Sequence, residues 1–183
     1  MSRIGRTPIT IPQGVQVDIA DHRVTVTGPG GTLSRAFPRD MLIDMRDGQM
    51  VVSRPSDGRR HRSLHGLTRT LLANMVQGVT AGFQKRLELS GVGYRAQKVG
   101  EKLVFQLGFS HPVEMPPPPG VSFSVEGTNR VTVSGIDKEL VGEVAAAIRR
   151  VRRWESYQGK GIRYAEERIR LKAGKAGAKK KGK

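Results

Sequence analysis

The chain has 183 residues and a formal net charge of +16, which comes from 32 Lys or Arg residues against 16 Asp or Glu residues. It contains no cysteine, and this excludes disulfides, cysteine-ligated zinc and thiol catalysis. No apolar run approaches the roughly 20 residues that span a bilayer, and no apolar leader follows the basic start, so we expect a soluble, cytoplasmic protein.

The positive charge is concentrated at the C-terminal end. Residues 149–183 hold 14 Lys or Arg and three Glu, so the first 148 residues carry a net charge of only +5. A basic end of this kind repels itself and favours a polyanionic partner, either nucleic acid or an anionic membrane. Because residues 172–183 have no apolar face and only Leu171 nearby, we expect no membrane partner.

Alternating apolar residues in the first half predict strands over 15–19, 24–27, 32–37 and 50–53, followed by a helix over 58–78. Gly28-Pro29-Gly30-Gly31 resembles a phosphate-binding loop, but a strand follows it instead of a helix, so a hairpin turn is predicted. Ser56 or Asp57 can cap the start of the helix, and Gly78 can end it. Its apolar face at a period of 3.6 residues comprises Leu64, Leu67, Leu71, Leu72, Met75 and Val76.

Basic residues cluster near the start of this helix. A helix N-terminus favours anions, so the cluster predicts a secondary contact with RNA or with an acidic protein, through Arg59, Arg60, Arg62, His65 and Arg69. His61 and His65 have the spacing of two zinc ligands on a helix. Arg62 replaces the glutamate of the zinc-protease motif and adjacent arginines oppose a cation, so we expect no metal site.

The second half repeats the pattern of the first. Strands are predicted over 86–89, 94–98, 103–107, 121–125 and 131–134, and a helix over 138–152. The Pro-rich run at 115–120 is interpreted as a stiff connector, with a polyproline ligand as the alternative. The segment Arg23-Val24-Thr25-Val26-Thr27-Gly28 recurs 107 residues later as Arg130-Val131-Thr132-Val133-Ser134-Gly135.

Strands followed by a helix, twice over, are typical of an α+β fold. We predict two tandem similar domains, each an antiparallel or mixed sheet with a helix packed on one face. The predicted boundaries are 1–82, 83–171 and a basic tail, 172–183, that is either flexible or ordered on RNA. No motif for a nucleophile or a carboxylate pair is present, so we expect no enzyme and no cofactor.

Residues 149–164 combine charge, glycine and aromatic side chains. Four arginines (149, 150, 152 and 153) fall in the predicted last turn of the second helix, which is more than the helix dipole requires. Lys160 lies between Gly159 and Gly161, which let a backbone approach a phosphate closely. Tyr157 and Tyr164 can stack on a base or ribose. This segment predicts contact with nucleic acid.

Several motifs, in order along the chain, resemble the bacterial large ribosomal subunit protein six family. They are Ser2-Arg3-Ile4-Gly5-Arg6, Asn74-Met75-Val76, Gly91-Val92-Gly93-Tyr94-Arg95-Ala96, Leu107-Gly108-Phe109-Ser110-His111-Pro112-Val113 and Tyr157-x-Gly159-Lys160-Gly161-Ile162-Arg163-Tyr164. The family usually carries Pro-Glu-Pro-Tyr-Lys-Gly-Lys-Gly, so Trp154, Ser156 and Gln158 depart from its pattern.

The resemblance implies a structural constituent of the large ribosomal subunit that binds 23S ribosomal RNA near the stalk base and the factor-binding region, beside neighbouring ribosomal proteins. We expect no homo-oligomer. A free-standing RNA- or DNA-binding regulator is the alternative. The tail lysines should also neutralise phosphates, and the expected RNA-binding residues are Gly91, Gly93, Tyr94, Arg95, Arg152, Arg153, Tyr157, Gly159, Lys160, Gly161, Arg163, Tyr164, Arg170, Lys172 and Lys175.

Overall fold

The computed structural model describes residues 3–175, which form two compact units. The first unit runs to Phe83 and also takes in Ile136–Lys138, and the second comprises Gln84–Gly135 and the chain from Glu139 onward. That each half folds without the other stays a prediction. Lys179, Lys180, Lys181 and Lys183, which were expected to neutralise phosphates, lie outside the described residues.

The first unit consists of two three-stranded sheets and one long helix. One sheet has the order β2-β3-β4 and the other β1-β6-β5, and every neighbouring pair in both is antiparallel. In chain order the elements are α1 (Arg3–Arg6), β1 (Ile9–Thr10), β2 (Gln16–Ala20), β3 (Arg23–Gly28), β4 (Gly31–Ala36), β5 (Leu42–Arg46), β6 (Gln49–Ser53) and α2 (Arg59–Thr80).

The core of the first unit forms where these sheets meet α2. Val24 and Val26 alternate along β3 and are fully buried, because successive strand residues point to opposite faces. The hairpin predicted at the glycine-rich turn is confirmed, since Gly28 pairs with Gly31 across β3 and β4. The helix contributes Leu72, Met75, Val76 and Val79 to the same cluster.

Helix α2 was predicted, but the predicted apolar face and the predicted ends of the helix were partly wrong. Leu67 is 53% exposed, because the buried face also takes in His65 and Thr68. The predicted end at Gly78 is wrong as well. The helix continues to Thr80 and ends where Gly82, at φ +69°, donates its N–H to the carbonyls of Gln77 and Gly78.

The predicted caps at the start of α2 are also wrong. Gly58 occupies the N-cap position and no side chain caps the helix. Both candidates have other partners. The Ser56 hydroxyl lies 2.8 Å from Nδ1 of His61 and accepts the N–H of Gly58, and Asp57 pairs with Arg54.

The second unit is built from a three-stranded and a four-stranded sheet with one helix, α3. The sheet orders are β10-β9-β8 and β11-β12-β7-β13. The elements are β7 (Phe83–Ser90), β8 (Arg95–Val99), β9 (Lys102–Gln106), β10 (Val113–Met115), β11 (Val121–Glu126), β12 (Arg130–Gly135), α3 (Lys138–Val151) and β13 (Gly161–Tyr164). The predicted α+β class with antiparallel sheets is confirmed.

Helix α3 ends one residue earlier than predicted, at Val151. Its buried face is Val141, Val144, Ala145 and Ile148, as the 3.6-residue period indicated. Of the four arginines assigned to its last turn, only Arg149 and Arg150 are helical, so Arg152 and Arg153 lie in the segment that leads to β13.

Candidate RNA interface

A compact loop connects α3 to β13, and we call residues 152–161 the basic loop. The N–H of Glu155 donates to the carbonyl of Lys160 at 2.7 Å, and the N–H of Ile162 donates to the carbonyl of Arg152 at 3.0 Å. The carboxylate of Glu155 accepts the backbone N–H groups of Tyr157 and Gln158, at 2.7 and 2.5 Å. These bonds hold the backbone of the loop, and the side chain of Lys160 is exposed on it.

The glycines of the basic loop are needed for contacts within the chain. Gly161 is buried at φ +131°, and a Cβ there would lie 2.7 Å from the carbonyl oxygen of Arg153 and from Cα of Trp154. Gly159, at φ +70°, packs against Leu171. The side of Gly161 on which a Cβ would stand is filled by the chain itself, so this glycine has a structural role within the loop. That it also gives a phosphate access to the backbone stays a prediction.

Tyr94, Phe109 and Arg152 come together beside the basic loop. Nε of Arg152 donates to the Tyr94 hydroxyl at 3.1 Å, and its guanidinium lies 5.0 Å from the centre of the Phe109 ring. Gly91, at φ +146°, lies against the Tyr94 ring, where a Cβ would come within 2.8 Å. The structure thus places Gly91 and Tyr94 beside Arg152. The two predicted groups of RNA-binding residues, 91–95 and 152–164, therefore lie next to each other.

These side chains line an open groove of about 520 Å³, which we call the RNA groove. Arginine, lysine and aromatic side chains dominate it: Tyr94, Phe109, Arg150, Arg152, Arg153 and Lys160. Phe109 was not among the predicted RNA-binding residues, and Arg150 was named only as part of the segment 149–164. Phe109 belongs to the Leu107-Gly108-Phe109 motif that carried the family resemblance, but nothing in the sequence placed it beside Arg152.

Two of the basic residues in this region have acidic partners within the unit. Arg163 donates to Glu88 at 2.9 Å and its guanidinium lies 5.4 Å from the Trp154 ring, and Arg149 donates to Glu167 at 2.6 Å. A guanidinium engaged by a carboxylate has less charge to offer a phosphate. This pairing favours a structural role for Arg163, whereas the exposed Arg152, Arg153 and Lys160 face solvent.

The remaining predicted residues surround the RNA groove and the basic loop. Tyr157 is 59% exposed, while the half-buried Tyr164 ring lies 5.6 Å from the guanidinium of Arg149. The backbone N–H of Lys172 donates to the carbonyl of Ser156 at 2.9 Å and ties the start of the tail to the loop. The other predicted RNA-binding residues that are exposed are Gly93, Arg95, Arg170, Lys172 and Lys175.

In the first unit, His65 is buried, and this disfavours the predicted contact with a partner. It is only 3% exposed, its Nε2 lies 2.9 Å from the Val52 carbonyl, and its Nδ1 lies 3.2 Å from Nη1 of Arg54. Because an arginine can only donate, Nδ1 is the acceptor and Nε2 carries the proton. A Cβ at Gly5 would overlap the His65 ring, so the ring also fixes the N-terminal segment.

The other arginines of this cluster are partly used for structure. The hydrogen bond and charge of Arg54 hold the pKa of Asp57 below its ordinary value. Arg69 donates to the carbonyl of Thr7 at 3.1 Å, and Arg60 lies 3.3 Å from Asp40. Arg59 and Arg62 are exposed on the first turn of α2, so of the predicted cluster these two remain available to a partner.

Within residues 3–175, no group of three or more metal-ligating side chains is placed to hold a metal ion. Over the same part of the chain, no helix combines the length and apolarity needed to cross a membrane.

The fold and the site define an α+β protein of two similar halves with a basic loop at the end of the second. A family model described as "Ribosomal protein L6" matches residues 11–82 and 90–165, in line with the internal repeat. The chain belongs to the ribosomal protein L6 family, which confirms the resemblance seen in the sequence. This family is one of structural proteins and not of enzymes.

Curated relatives match the chain over nearly its whole length. The large ribosomal subunit protein uL6 of Syntrophomonas wolfei is 57% identical, over 98% of this chain and 100% of that protein. The proteins of the same name from Carboxydothermus hydrogenoformans and Pelotomaculum thermopropionicum are 59% and 58% identical, each over 99% of this chain and 100% of their own length.

Proposed function

We propose that this protein is a structural constituent of the large ribosomal subunit in the cytoplasm, where it binds 23S ribosomal RNA and stabilises its fold near the stalk base and the factor-binding region. Its relatives are named as proteins of the large ribosomal subunit, and they align with both halves of the chain. Its other partners are then the ribosomal proteins that neighbour this RNA.

One observation carries the proposal: exposed cations without acidic partners line the RNA groove beside aromatic rings. Arg152, Arg153 and Lys160 are exposed there, while Arg149 and Arg163 are held by Glu167 and Glu88. Phosphate contacts give affinity and position to an RNA-binding protein, and aromatic faces beside them accept a sugar or a base. Tyr94 and Phe109 supply those faces.

Sedimentation and salt dependence together test this function. The full chain should co-migrate with large ribosomal subunits through moderate salt, whereas a free-standing regulator would stay at the top of the gradient. In filter binding with a 23S ribosomal RNA transcript, about six to eight neutralised phosphates give a slope of log K against log salt of roughly −4 to −7. A slope near zero would contradict phosphate binding by the RNA groove.

A further inference from the structure

A second cavity lies in the second unit where α3 leads into the basic loop, and we call it the Trp154 pocket. Its volume is about 290 Å³, and it is lined by Ala146, Arg149, Arg150, Arg153, Trp154 and Tyr164. Arg150 and Arg153 also line the RNA groove. The two arginines therefore border both cavities, and we call this pair the ridge.

The ridge carries uncompensated positive charge. Arg149 is paired with Glu167 and Arg163 with Glu88, but no acidic side chain of the described chain pairs with Arg150 or Arg153. Two guanidinium groups on one edge suit a phosphate, because their fixed N–H donors match its oxygens. A nucleotide whose phosphate lies on this edge would have its base within reach of either cavity.

The walls of the Trp154 pocket suit the flat face of a base. Trp154 and Tyr164 provide two aromatic rings, and the guanidinium groups of Arg163 and Arg149 lie 5.4 and 5.6 Å from their respective centres. Aromatic rings beside cations are the platforms on which proteins stack unpaired bases. The volume leaves room for a single base and none for a base pair within a duplex.

Hydrogen bonding at the pocket is incomplete. Nε of Arg149, Nε1 of Trp154 and Nε of Arg163 are buried, and among residues 3–175 they have no acceptor. Buried donors are nearly always paired, since an unpaired one loses its bond to water without replacement. Arg149 and Trp154 line the pocket, so a ligand that brings oxygen or nitrogen acceptors, such as a base edge or a phosphate, and that displaces these side chains slightly would satisfy two of the three donors.

We propose that the Trp154 pocket binds an unpaired nucleobase of the RNA, with the adjoining phosphate on the ridge formed by Arg150 and Arg153. This rests on the proposed function, and it adds that the protein reads a single-stranded nucleotide, such as one in a bulge or a loop. A continuous duplex cannot place a base in the pocket, because its bases are stacked and paired with each other.

The chain has a single tryptophan, so its fluorescence reports on this pocket alone. The full chain is titrated with a 23S ribosomal RNA transcript, a short oligoadenylate and a fully paired RNA duplex, while filter binding is measured in parallel. Stacking on Trp154 should quench the emission with the transcript and the oligoadenylate at the concentrations at which they bind. The duplex, and inorganic phosphate alone, should leave it nearly unchanged.

The outcomes separate the inference from the proposed function. If the transcript is retained on the filter and the emission stays constant, the pocket assignment is overturned and ribosomal RNA binding stands. If the duplex or inorganic phosphate quenches as strongly as the oligoadenylate, the preference for an unpaired base is overturned. If the transcript is not retained at all, the proposed function fails.

Variants provide an independent test. Trp154→Ala should weaken transcript binding about tenfold, the loss expected from one stacked base, whereas Trp154→Phe keeps a ring and should stay within about threefold of the parent chain. Equal affinity of a folded Trp154→Ala protein overturns the proposal. If Trp154→Ala does not fold, Arg150→Gln serves as the test, with Lys98→Gln on β8 as a control that removes one positive charge elsewhere. Arg150→Gln should weaken the quenching more than Lys98→Gln does. Equal effects of the two variants overturn the proposal.

Discussion

Gly161 adopts φ +131°, and a β-carbon there would lie 2.7 Å from the backbone of Arg153 and Trp154. Gly161→Ala should therefore destabilise the second unit by roughly 2–4 kcal/mol, the sum of backbone strain and overpacking. Urea unfolding followed by the emission of Trp154 measures this, because the only tryptophan lies in that unit.

Gly142→Ala is the matched control for that substitution. Gly142 lies in α3, and no atom comes within 4 Å of its added Cβ. Alanine is the better helix former, so this change should stabilise the unit by about 0.5–1 kcal/mol. If the two variants unfold at the same urea concentration, the close approach of the chain at Gly161 does not make a side chain there destabilising.

Lys160 and Arg163 are both basic residues of the predicted RNA-binding motif, yet their surroundings differ. Lys160→Ala should make the slope of log K against log salt about one unit less steep and leave stability nearly unchanged, because its side chain is exposed. Arg163→Ala removes the closer of the two arginines that pair with Glu88 and should cost about 1–2 kcal/mol of stability, with a smaller change in slope.

Salt titrations of RNA binding and urea unfolding of both variants check this division of roles. If Arg163→Ala and Lys160→Ala change the slope of log K against log salt equally, both residues contact phosphate groups. Unaltered slopes for both would remove the basic loop from the interface.

The sequence predicted the residue types of the site but not their pairing. Charge, glycine and tyrosine between 149 and 164 pointed to the segment. Glu88 lies 75 residues from Arg163, and no local pattern could show that it binds that arginine. Phe109 was missed for the same reason, since its position beside Arg152 depends on how β9 and the end of α3 come together in the fold.

At the scale of whole elements, both long helices and nine of the strands were predicted, whereas β1, β5, β10 and β13 were not. Helices α2 and α3 follow a 3.6-residue period over many residues, so their existence is set locally. The strands β1, β10 and β13 have only two, three and four residues and form because another strand is there to pair with them. In β5 most residues are exposed, so it lacks the alternation that would have marked it.

Helix α2 begins without a side-chain cap or an acidic residue in its first turn. Gly58, at φ −57° and ψ 151°, already has a backbone that a capping residue adopts, and a Cβ there meets only Oγ of Ser56, at 3.4 Å. Gly58→Asp should therefore stabilise the first unit by a few tenths to about 1 kcal/mol, because it adds an acceptor for free N–H groups and a charge that favours the helix dipole.

Urea unfolding followed by far-ultraviolet circular dichroism measures the effect of Gly58→Asp, with Gly58→Ala as the control that adds a side chain but no acceptor. The aspartate variant should be the more stable of the two, and its advantage should shrink in high salt. Equal stabilities would mean that water already hydrogen-bonds the free N–H groups in the first turn of α2 as well as a carboxylate does.

At the scale of the molecule, charge is divided unevenly along the chain. Residues 1–82 carry a net charge of +5, residues 83–148 are neutral overall, and residues 149–183 carry +11. In the first unit, His65 is buried and Arg54, Arg60 and Arg69 have partners within that unit. The excess of positive charge is therefore concentrated at the C-terminal end, and this favours the second half as the main partner of RNA in the proposed function.

Residues 83–183 alone should bind a 23S ribosomal RNA transcript within about tenfold of the full chain, a loss of at most roughly 1.4 kcal/mol. Cooperative unfolding of this fragment must be shown first. Residues 136–138, which belong to the first unit, lose that environment in the fragment, so its stability tests whether the halves fold independently. Filter binding of fragments 83–183 and 1–82 at one fixed salt concentration compares the affinities. Tighter binding by residues 1–82 would reverse the assignment of the interface, because the arginines around the start of α2 would then outweigh the RNA groove.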